Sequence, residues 1–338
     1  MKKKLGLLIT GFVLAILQGT AQPDSLPVLF QKDSILKLKL TLNVNGFLQD
    51  TEEDHEWKAV LSCEGQSGYS VKINRKGHFR GKAANCVWPS IGLNLPSRKT
   101  TGSIWEGVDK LKLITSCIYD GYDDQNKALL EYSAYRIYSE ISPFHFKVRS
   151  CQVGFQDSAT GQVVRTAYGF LLEDDKEMAS RYQGKVLKVN NIHPNFTEPA
   201  VMLRLAVFQY LIGNTDWSVK ALHNIKLLSV PGSAPIAVPY DFDYSGLVNA
   251  SYAVPPAHLP LSSVTERYYN GHCRPEQEIL SILAEWKGLK TRIDEILRDL
   301  PLSPDEKNRA LNYLQTFFDL SESSEWIHKV FIEGCRQD

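Results

Sequence analysis

Four polar side chains within residues 211–246 constrain this chain more than any other sequence feature. An apolar, helix-like run ends shortly before Asp216, and Asn224 leads into a short apolar segment. A turn rich in Pro, Gly and Ser separates that segment from a second one, which ends in Asp241-Phe242-Asp243. Two neighbouring strands would deliver these oxygens to one place, so the pattern predicts a site for a hard divalent cation. Magnesium suits such a site, because one or two carboxylates typically hold it together with water and substrate phosphates.

The charge of the chain is balanced. Its 338 residues include 38 Lys plus Arg and 38 Asp plus Glu. Without a net positive charge there is no overall field to attract a nucleic acid, and we expect no nucleic-acid partner. The length allows one large domain or two ordinary ones.

Residues 1–21 have the pattern of a signal peptide. Lysines at positions 2–4 precede an apolar run over 5–17, and Gly19-Thr20-Ala21 provides the small residues of a cleavage site. The apolar run is too short to span a membrane, and no later run replaces it. We therefore expect a mature chain that begins near Gln22 and is exported, to a periplasm or out of the cell, without a membrane span.

Export makes the six cysteines candidates for disulfides. Sequence alone cannot choose among the pairings that six cysteines allow. Cys117 and Cys151 lie in strand-like runs on either side of one predicted helix. We expect these two to pair.

Hydrophobic periodicity predicts strands first and helices later. The predicted strands cover 35–44, 57–62, 69–74, 91–95, 110–118, 144–155, 167–173 and 185–190, with two more in 211–246. The predicted helices cover 123–141, 198–212, 275–300, 304–318 and 324–334. This order predicts an α+β fold with a sheet-rich N-terminal half and a helical C-terminal half.

Six short motifs, in the same order, resemble the spore-coat CotH kinase family, a group of atypical, protein-kinase-like proteins. The resemblance covers most of the mature chain from about His78 onward. The motifs are FRGK (79–82), DQNKALL (124–130), YGFLLE (168–173), VLK (186–188), NTD with HN (214–216 and 223–224) and PYDFD (239–243). The resemblance implies a bilobal protein-kinase-like fold after the signal peptide, with an N-lobe at about 30–190 and a C-lobe at about 191–338.

The resemblance also implies roles for the acidic and amide residues. Asp216 would orient or deprotonate the acceptor hydroxyl, as the Asp of the kinase catalytic loop does. Asn224 and Asp241 would hold magnesium, with Asp243 as a second carboxylate. Seven residues separate Asp216 from Asn224, a longer spacing than in the kinase catalytic loop, so the geometry of this loop must differ.

Four other matching residues would bind ATP. Glu173 and Lys188 would lie near the nucleotide, and Arg80 or Lys82 near its phosphates. The family usually has a lysine pair after an aromatic-Pro step that follows this loop, whereas Trp88-Pro89-Ser90-Ile91 stands here after Ala83-Ala84. Lys82 or Lys76 would have to replace the missing phosphate-binding lysine.

These assignments predict an exported, magnesium-dependent kinase that transfers the γ-phosphoryl group of ATP to a hydroxyl of a protein or small-molecule acceptor. The missing lysine pair leaves a second hypothesis open, a pseudokinase that acts as a binding or assembly module at the cell envelope. Nucleotidyl transfer would use the same acids and is not separated from phosphoryl transfer by the sequence. The acceptor and the oligomeric state also stay open.

Overall fold

The computed structural model describes residues 26–52, 55–77, 79–82, 84–96, 100–119 and 122–337. The predicted signal peptide and the cleavage site before Gln22 lie outside these ranges. So do His78 and Ala83 of the basic loop, so that FRGK is described and the residue on either side of it is not.

Twelve strands occur in the described ranges. In chain order they are β1 (Leu36–Leu42), β2 (Trp57–Cys63), β3 (Tyr69–Lys76), β4 (Ser90–Asn94), β5 (Lys110–Thr115), β6 (Ile118–Tyr119), β7 (Tyr122–Asp123), β8 (Val148–Asp157), β9 (Val163–Glu173), β10 (Lys185–Leu187), β11 (Ile225–Ser229) and β12 (Ile236–Pro239). Period-two patterns account for the long ones. In β1, for example, buried apolar residues alternate with more exposed ones.

Seven α-helices occur in the same ranges, together with short 3-10 turns and a terminal π-helical turn (His328–Glu333). The helices are α1 (Val44–Gln49), α2 (Gln125–Ile141), α3 (Asp175–Arg181), α4 (Pro199–Leu211), α5 (Glu276–Arg298), α6 (Pro304–Leu320) and α7 (Ser324–Ile327). Side-chain caps fix several starts: Asp124 caps α2, Glu198 caps α4 and Ser303 caps α6. Pro199 and Pro304 occupy first-turn positions, where no backbone N–H is needed. These observations confirm the long predicted helices.

Seven strands close into a barrel in the order β1-β2-β3-β4-β5-β9-β8. Every neighbouring pair is antiparallel except β1 and β8, which pair in parallel with Leu36 opposite Cys151 and Leu42 opposite Asp157. A separate three-stranded sheet has the order β10-β11-β12, and β6 and β7 form a small two-stranded sheet.

The predicted bilobal protein-kinase-like fold is wrong. The first half is not an open lobe of sheet but a closed, mixed barrel, and the second half contains β11 and β12 as well as helices. Periodicity reports which segments are strands, but it does not report that β1 pairs with β8 across more than a hundred residues. That long-range pairing closes the sheet and removes its edges.

Two apolar cores hold these elements. One fills the barrel and contains the inward residues of its strands, such as Leu40, Leu61 and Phe155. The other joins α2, α4, α5 and α6 to β11 and β12, and it reaches the barrel through Phe170 and Leu172 of β9. Helix α2 therefore packs with the helices although it lies between barrel strands in sequence.

Two disulfides join Cys86 to Cys117 and Cys273 to Cys335, a finding compatible with an exported protein. The predicted pairing of Cys117 with Cys151 is wrong, because β8 directs Cys151 into the barrel core, where it is a free thiol. Burial raises the pKa of that thiol, which keeps it protonated. None of the helices in the described ranges is long and apolar enough to cross a membrane.

Candidate active site

The turn after α4 fixes the position of Asp216. Gly213 ends the helix with a positive φ of 65°, a conformation that glycine adopts without strain. The buried Asn214 side chain then donates to Gln209 Oε1 at 3.0 Å and accepts from the Asp216 backbone N–H at 3.0 Å. These two hydrogen bonds of the buried Asn214 amide hold the backbone at Asp216 from the helix side.

Both carboxylate oxygens of Asp216 are engaged. Oδ1 lies 2.8 Å from His223 Nε2, and Oδ2 accepts from Asn224 Nδ2 at 2.9 Å. Asn224 Nδ2 also donates to the Asp216 backbone oxygen at 2.8 Å. The hydrogen bond to Asp216 raises the pKa of His223. Asn224 therefore turns its amide nitrogen to Asp216 and keeps its oxygen for another partner.

The long spacing between Asp216 and Asn224 is closed by a small bridge. Ser218 and His223 exchange both backbone hydrogen bonds, so residues 219–222 form a loop outside the site. Leu222 and Asn224 take positive φ values of 50° and 52° to complete the turn. The bridge thus brings Asn224 back to Asp216 although seven residues separate them in sequence.

Asp241 and Asp243 follow β12 on a constrained backbone. Asp241 has a φ of 61°, which is sparsely populated outside glycine, and its backbone N–H donates to the Tyr135 hydroxyl of α2 at 2.8 Å. Phe242 is fully buried and packs against Tyr135 and Phe208. Between the two acids lies a core residue, so both carboxyl groups are fixed relative to α2 and α4. Strained backbone of this kind often marks a functional position.

Arg80 lies at the centre of the acids. Its guanidinium group makes two hydrogen bonds to Glu131 of α2, at 2.8 and 3.1 Å, and one to Asp241 Oδ1 at 2.8 Å. Its Nε lies 3.4 Å from Asp243 Oδ2, which also accepts from the Tyr252 hydroxyl at 2.9 Å. The Arg80 and Glu131 side chains are only 5% and 1% exposed. We name Arg80, Glu131, Asp241 and Asp243 the acidic cluster.

Three carboxylates around one guanidinium leave an excess of negative charge. Burial raises the pKa of Asp243 to about 7, and the neighbouring Asp241 and Glu131 add to the rise. Burial also opposes ionisation of Asp241, but Lys112, Arg80 and His223 overcome it, so the pKa of Asp241 is below its usual value. The cluster thus holds one firmly ionised carboxylate beside one that ionises near neutral pH.

Asp216 belongs to the same electrostatic site. Tyr244 follows Asp243, and burial together with Asp243, Asp216 and Asp241 raises the pKa of its hydroxyl to about 12. His223, the partner of Asp216, is also one of the groups that lower the pKa of Asp241. The structure therefore brings the four predicted residues Asp216, Asn224, Asp241 and Asp243 into one region.

Three oxygens in this region remain available to a cation. Within the described ranges, Asn224 Oδ1, Asp241 Oδ2 and Asp243 Oδ1 have no hydrogen-bond partner. An amide and two carboxylates fit magnesium, which takes the rest of its ligands from water and substrate. The part of the chain that the structure describes contains no group of three or more His, Cys, Asp or Glu side chains that could hold a metal by themselves.

A cleft of about 570 Å³ adjoins the acidic cluster at Asp241, because Tyr240, the residue before it, lines the cleft; Arg80, Glu131 and Asp243 line a separate, much smaller cavity. The cleft is lined by β3, β4, β5 and β9 of the barrel and by residues of α3, β11 and the end of β12. Phe146, Leu172 and Tyr240 form an apolar part of its wall, and Tyr240 directly precedes Asp241. The charged residues of the lining are Lys76, Lys110, Lys112, Lys226, Glu56, Glu173, Asp174 and Asp175. We name it the lysine cleft.

The structure separates the four residues predicted to bind ATP. Glu173 lines the lysine cleft, where Arg181 holds its carboxylate at 2.9 Å. Arg80 lies in the acidic cluster rather than free for phosphates. Lys82 and Lys188 are exposed, and neither belongs to the described lining of the cleft.

Sequence reasoning missed three residues of the site. Glu131 and Tyr135 lie one turn apart in α2, among apolar residues at helical spacing. The sequence pattern therefore indicates a buried helix face there and does not indicate a functional site. A buried acid in such a pattern is itself a signal, because a carboxylate is rarely buried without a partner. Lys112 alternates with apolar residues in β5 and reads as an ordinary strand lysine, so no sequence signal identifies it.

Comparisons with known proteins add little to this geometry. No protein-family model matches the chain, and a search of curated proteins finds no match. A solved structure titled "The structure of hydra Fam20 with sugar" is similar over 91% of this chain and 90% of that chain, with 14% identity and a TM-score of 0.34. A similarity at that level carries no argument about activity. The resemblance to the CotH family stays a prediction from its motifs.

Proposed function

We propose that this chain is a magnesium-dependent phosphotransferase that moves the γ-phosphoryl group of ATP to a hydroxyl of a protein or small-molecule acceptor. The observation that carries the proposal is the position of the acidic cluster at the edge of the lysine cleft. A site that is negative on one side and positive on the other is complementary to a phosphate chain with a bound divalent cation. The volume of the cleft is in the range of small-molecule sites.

Each of the four acidic and amide residues has a chemical task in this proposal. Asn224, Asp241 and Asp243 would hold the cation, which neutralises charge on the phosphates when bound. The oxygen of the acceptor hydroxyl would form a bond to the γ-phosphorus, and the Asp216 carboxylate would accept the proton of that hydroxyl. The bond from that phosphorus to the bridging oxygen breaks, and ADP leaves with the electron pair. Positioning and charge stabilisation supply the rate enhancement, with no covalent enzyme intermediate.

A second candidate is a protein that binds nucleotide without transferring phosphate. The observation in its favour is Arg80, whose guanidinium group already neutralises Asp241 Oδ1 and lies beside Asp243 Oδ2. A fixed internal cation can replace part of the need for a metal. In that case ATP would bind with little dependence on magnesium, and no group would be transferred. We also propose that the protein acts outside the cytoplasm, in a periplasm or beyond the cell.

Thermal unfolding of the chain from Gln22 onward tests the binding step. A ligand that binds only the folded state at a hundredfold excess over its Kd adds about 2.7 kcal/mol of stability. We expect ATP with magnesium to raise the midpoint, and Asp241→Ala to abolish the rise. The exposed Asp305, in the first turn of α6, provides the control variant Asp305→Asn, which should respond like the wild type.

Transfer is tested by the mass that an acceptor gains after incubation with ATP and magnesium. A phosphoryl group supports the proposal, whereas a nucleotidyl group assigns the same acids to a different transfer. An unchanged midpoint at millimolar ATP and magnesium would rule out both forms of the chemistry. A rise that does not require magnesium, without transfer, would support the second candidate.

A further inference from the structure

Most acids of the lysine cleft have partners other than the lysines of the cleft. Arg181 binds Glu173, Lys226 lies 3.1 Å from Asp175, and Asp174 caps the start of α3. Glu56 binds Lys72, which lies outside the lining. Each acid of the cleft therefore has a partner already. Glu56 also interacts with one of the remaining lysines of the described lining, because its pKa is lowered by Lys72 and also by the charge of Lys110.

Three cleft lysines form no close contact with an acid in the described ranges. Over the ranges that the structure describes, Lys76, Lys110 and Lys112 make no ion pair and no side-chain hydrogen bond. The ammonium groups of Lys76 and Lys112 line one concave surface and repel each other, and an anion that bridges these two would relieve that repulsion. The lining has four lysines and four acids, and Arg181 and Lys72, which bind two of those acids, bring the basic side chains to six. The region thus carries a local positive charge, although the charge of the whole chain is balanced.

Lys112 connects this charge to the acidic cluster. It lies on β5 opposite Gly92 of β4 and Leu172 of β9, both of which also line the cleft. Tyr240, the residue directly before Asp241, lines the same cleft as Lys112. One ligand could therefore contact Lys112 and a cation on Asp241 at the same time.

Gly92 makes room for the second lysine. A Cβ at this position would lie 2.3 Å from Asn74 Oδ1 and 3.0 Å from Lys76 Cε. The missing side chain lets the Lys76 stem lie across β4. Lys76 and Lys112, on the strands that flank β4, thus approach the cleft from both sides of Gly92.

We propose that Lys112 and Lys76 bind the terminal phosphates of a nucleoside triphosphate in the lysine cleft, and that Lys112 contacts the phosphate next to the cation site. This inference rests on the proposed function and replaces the assignment of Arg80 and Lys82 to the phosphates. Strand β5 would then supply the phosphate-binding lysine that is missing after the basic loop. Lys110 lies at the same cleft, where its charge acts on Glu56: the pKa of that acid is lowered by Lys72 and also by Lys110.

The test compares adenosine, ADP, ATP and inorganic triphosphate on three variants. Lys112→Met should weaken ATP and triphosphate by about 10- to 100-fold, the size of one charge-assisted hydrogen bond, and leave adenosine unchanged. Lys112→Arg should keep most of the ATP affinity. Lys110→Met is the matched control on the same strand and should change the ATP affinity by less than about threefold. Titration calorimetry of the whole mature chain gives each Kd, and circular dichroism verifies folding.

The outcomes separate this inference from the proposed function. If Lys112→Met binds ATP like the wild type while Asp241→Ala does not, the lysine assignment is wrong and the phosphotransferase proposal stands. If triphosphate binds without metal and requires Lys112, but no transfer occurs, the phosphate site stands and the phosphotransferase proposal fails. If neither ATP nor triphosphate binds the wild type, both are wrong. If Lys110→Met and Lys112→Met weaken ATP binding equally, the affinity depends only on the total positive charge of the cleft, and the specific role of Lys112 is wrong.

Discussion

The acidic cluster and the lysine cleft are neighbours with opposite charge and opposite construction. In the acidic cluster Arg80, Glu131 and Asp243 are buried and Asp241 is 26% exposed, and one arginine holds the three carboxylates at fixed distances. In the lysine cleft the lysines are on open strands, and three of them form no close ion pair in the described ranges. A buried charge needs an oppositely charged or hydrogen-bonding partner within the folded protein, whereas an exposed charge is solvated by water and can remain unpaired until a ligand binds. Removing a partner from the first region should therefore destabilise the fold, whereas removing a lysine from the second should mainly affect binding.

Among the substitutions that test this difference, removal of Arg80 should lower the free energy of unfolding most. Arg80→Met leaves three buried carboxylates without their shared cation, and we expect the free energy of unfolding to fall by about 3–5 kcal/mol. Urea unfolding at neutral pH measures the change. The matched control is Arg204→Met, which removes a more exposed pair with Glu285 and should cost about 1 kcal/mol or less. Equal effects of the two variants would mean that the cluster is not a buried network.

The pH dependence of stability should come next in size. The pKa of Asp243 is about 7 in the folded chain and near 3.9 in an unfolded one. The folded state therefore binds more protons between those values, and the stability that protonated Asp243 contributes is lost as the pH rises through about 7. Relative to Asp243→Asn, the wild type should lose on the order of 2–4 kcal/mol between pH 4 and pH 8.

Urea unfolding of both proteins across that pH range measures the difference. Glu177, whose burial raises its pKa to about 7 as well, is present in both chains, so its contribution cancels. Asp305→Asn should follow the wild type at every pH. A constant difference between wild type and Asp243→Asn would show that Asp243 does not titrate in this window.

Tyr135→Phe should have a smaller effect. The substitution removes the hydroxyl that accepts the Asp241 backbone N–H and keeps the ring that packs against Phe242. An unsatisfied buried N–H costs about 1–3 kcal/mol. Because the left-handed backbone at Asp241 would lose its support, magnesium-dependent ATP binding should weaken as well. Tyr132→Phe on the same helix is the control for binding and should leave the ATP affinity unchanged, which calorimetry can check.

Substitutions in the lysine cleft should affect stability least. Lys76→Met and Lys110→Met remove side chains that make no ion pair within the described residues, so unfolding free energies should change by less than about 0.5 kcal/mol. A loss of several kcal/mol from either variant would mean that the cleft lysines support the fold, and the contrast with the acidic cluster would disappear.

Much of the secondary structure was predictable from local patterns. The helices α2, α4, α5 and α6 follow apolar residues at helical spacing, and α2, α4 and α6 begin at residues whose side chains cap them. The hairpin of β8 and β9 follows two apolar runs around a turn at Gly161. The bilobal arrangement was not correct, because no local pattern reports the parallel pairing of β1 with β8 that closes the barrel.

The same limit applies to the site. Asp216, Asn224, Asp241 and Asp243 could be selected because they lie close in sequence at the ends of predicted elements, where short-range constraints operate. Arg80 could be selected as a basic residue in a Gly-containing loop, but its role changed from a phosphate ligand to the partner of buried acids. Glu131 and Lys112 could not be placed, because their partners are far away along the chain.

The sequence by itself determined where the acids are, which segments are helices, and that the chain has no overall charge to attract a nucleic acid. The tertiary structure decided which charges are neutralised and which are left for a ligand. It buried Arg80 against Glu131, Asp241 and Asp243, and it placed Lys112 beside them on an open cleft. The physical reason is that charge interactions depend on distance and burial in three dimensions, and segments as distant as β3, β5 and β12 become neighbours only when the barrel closes and packs on the helices.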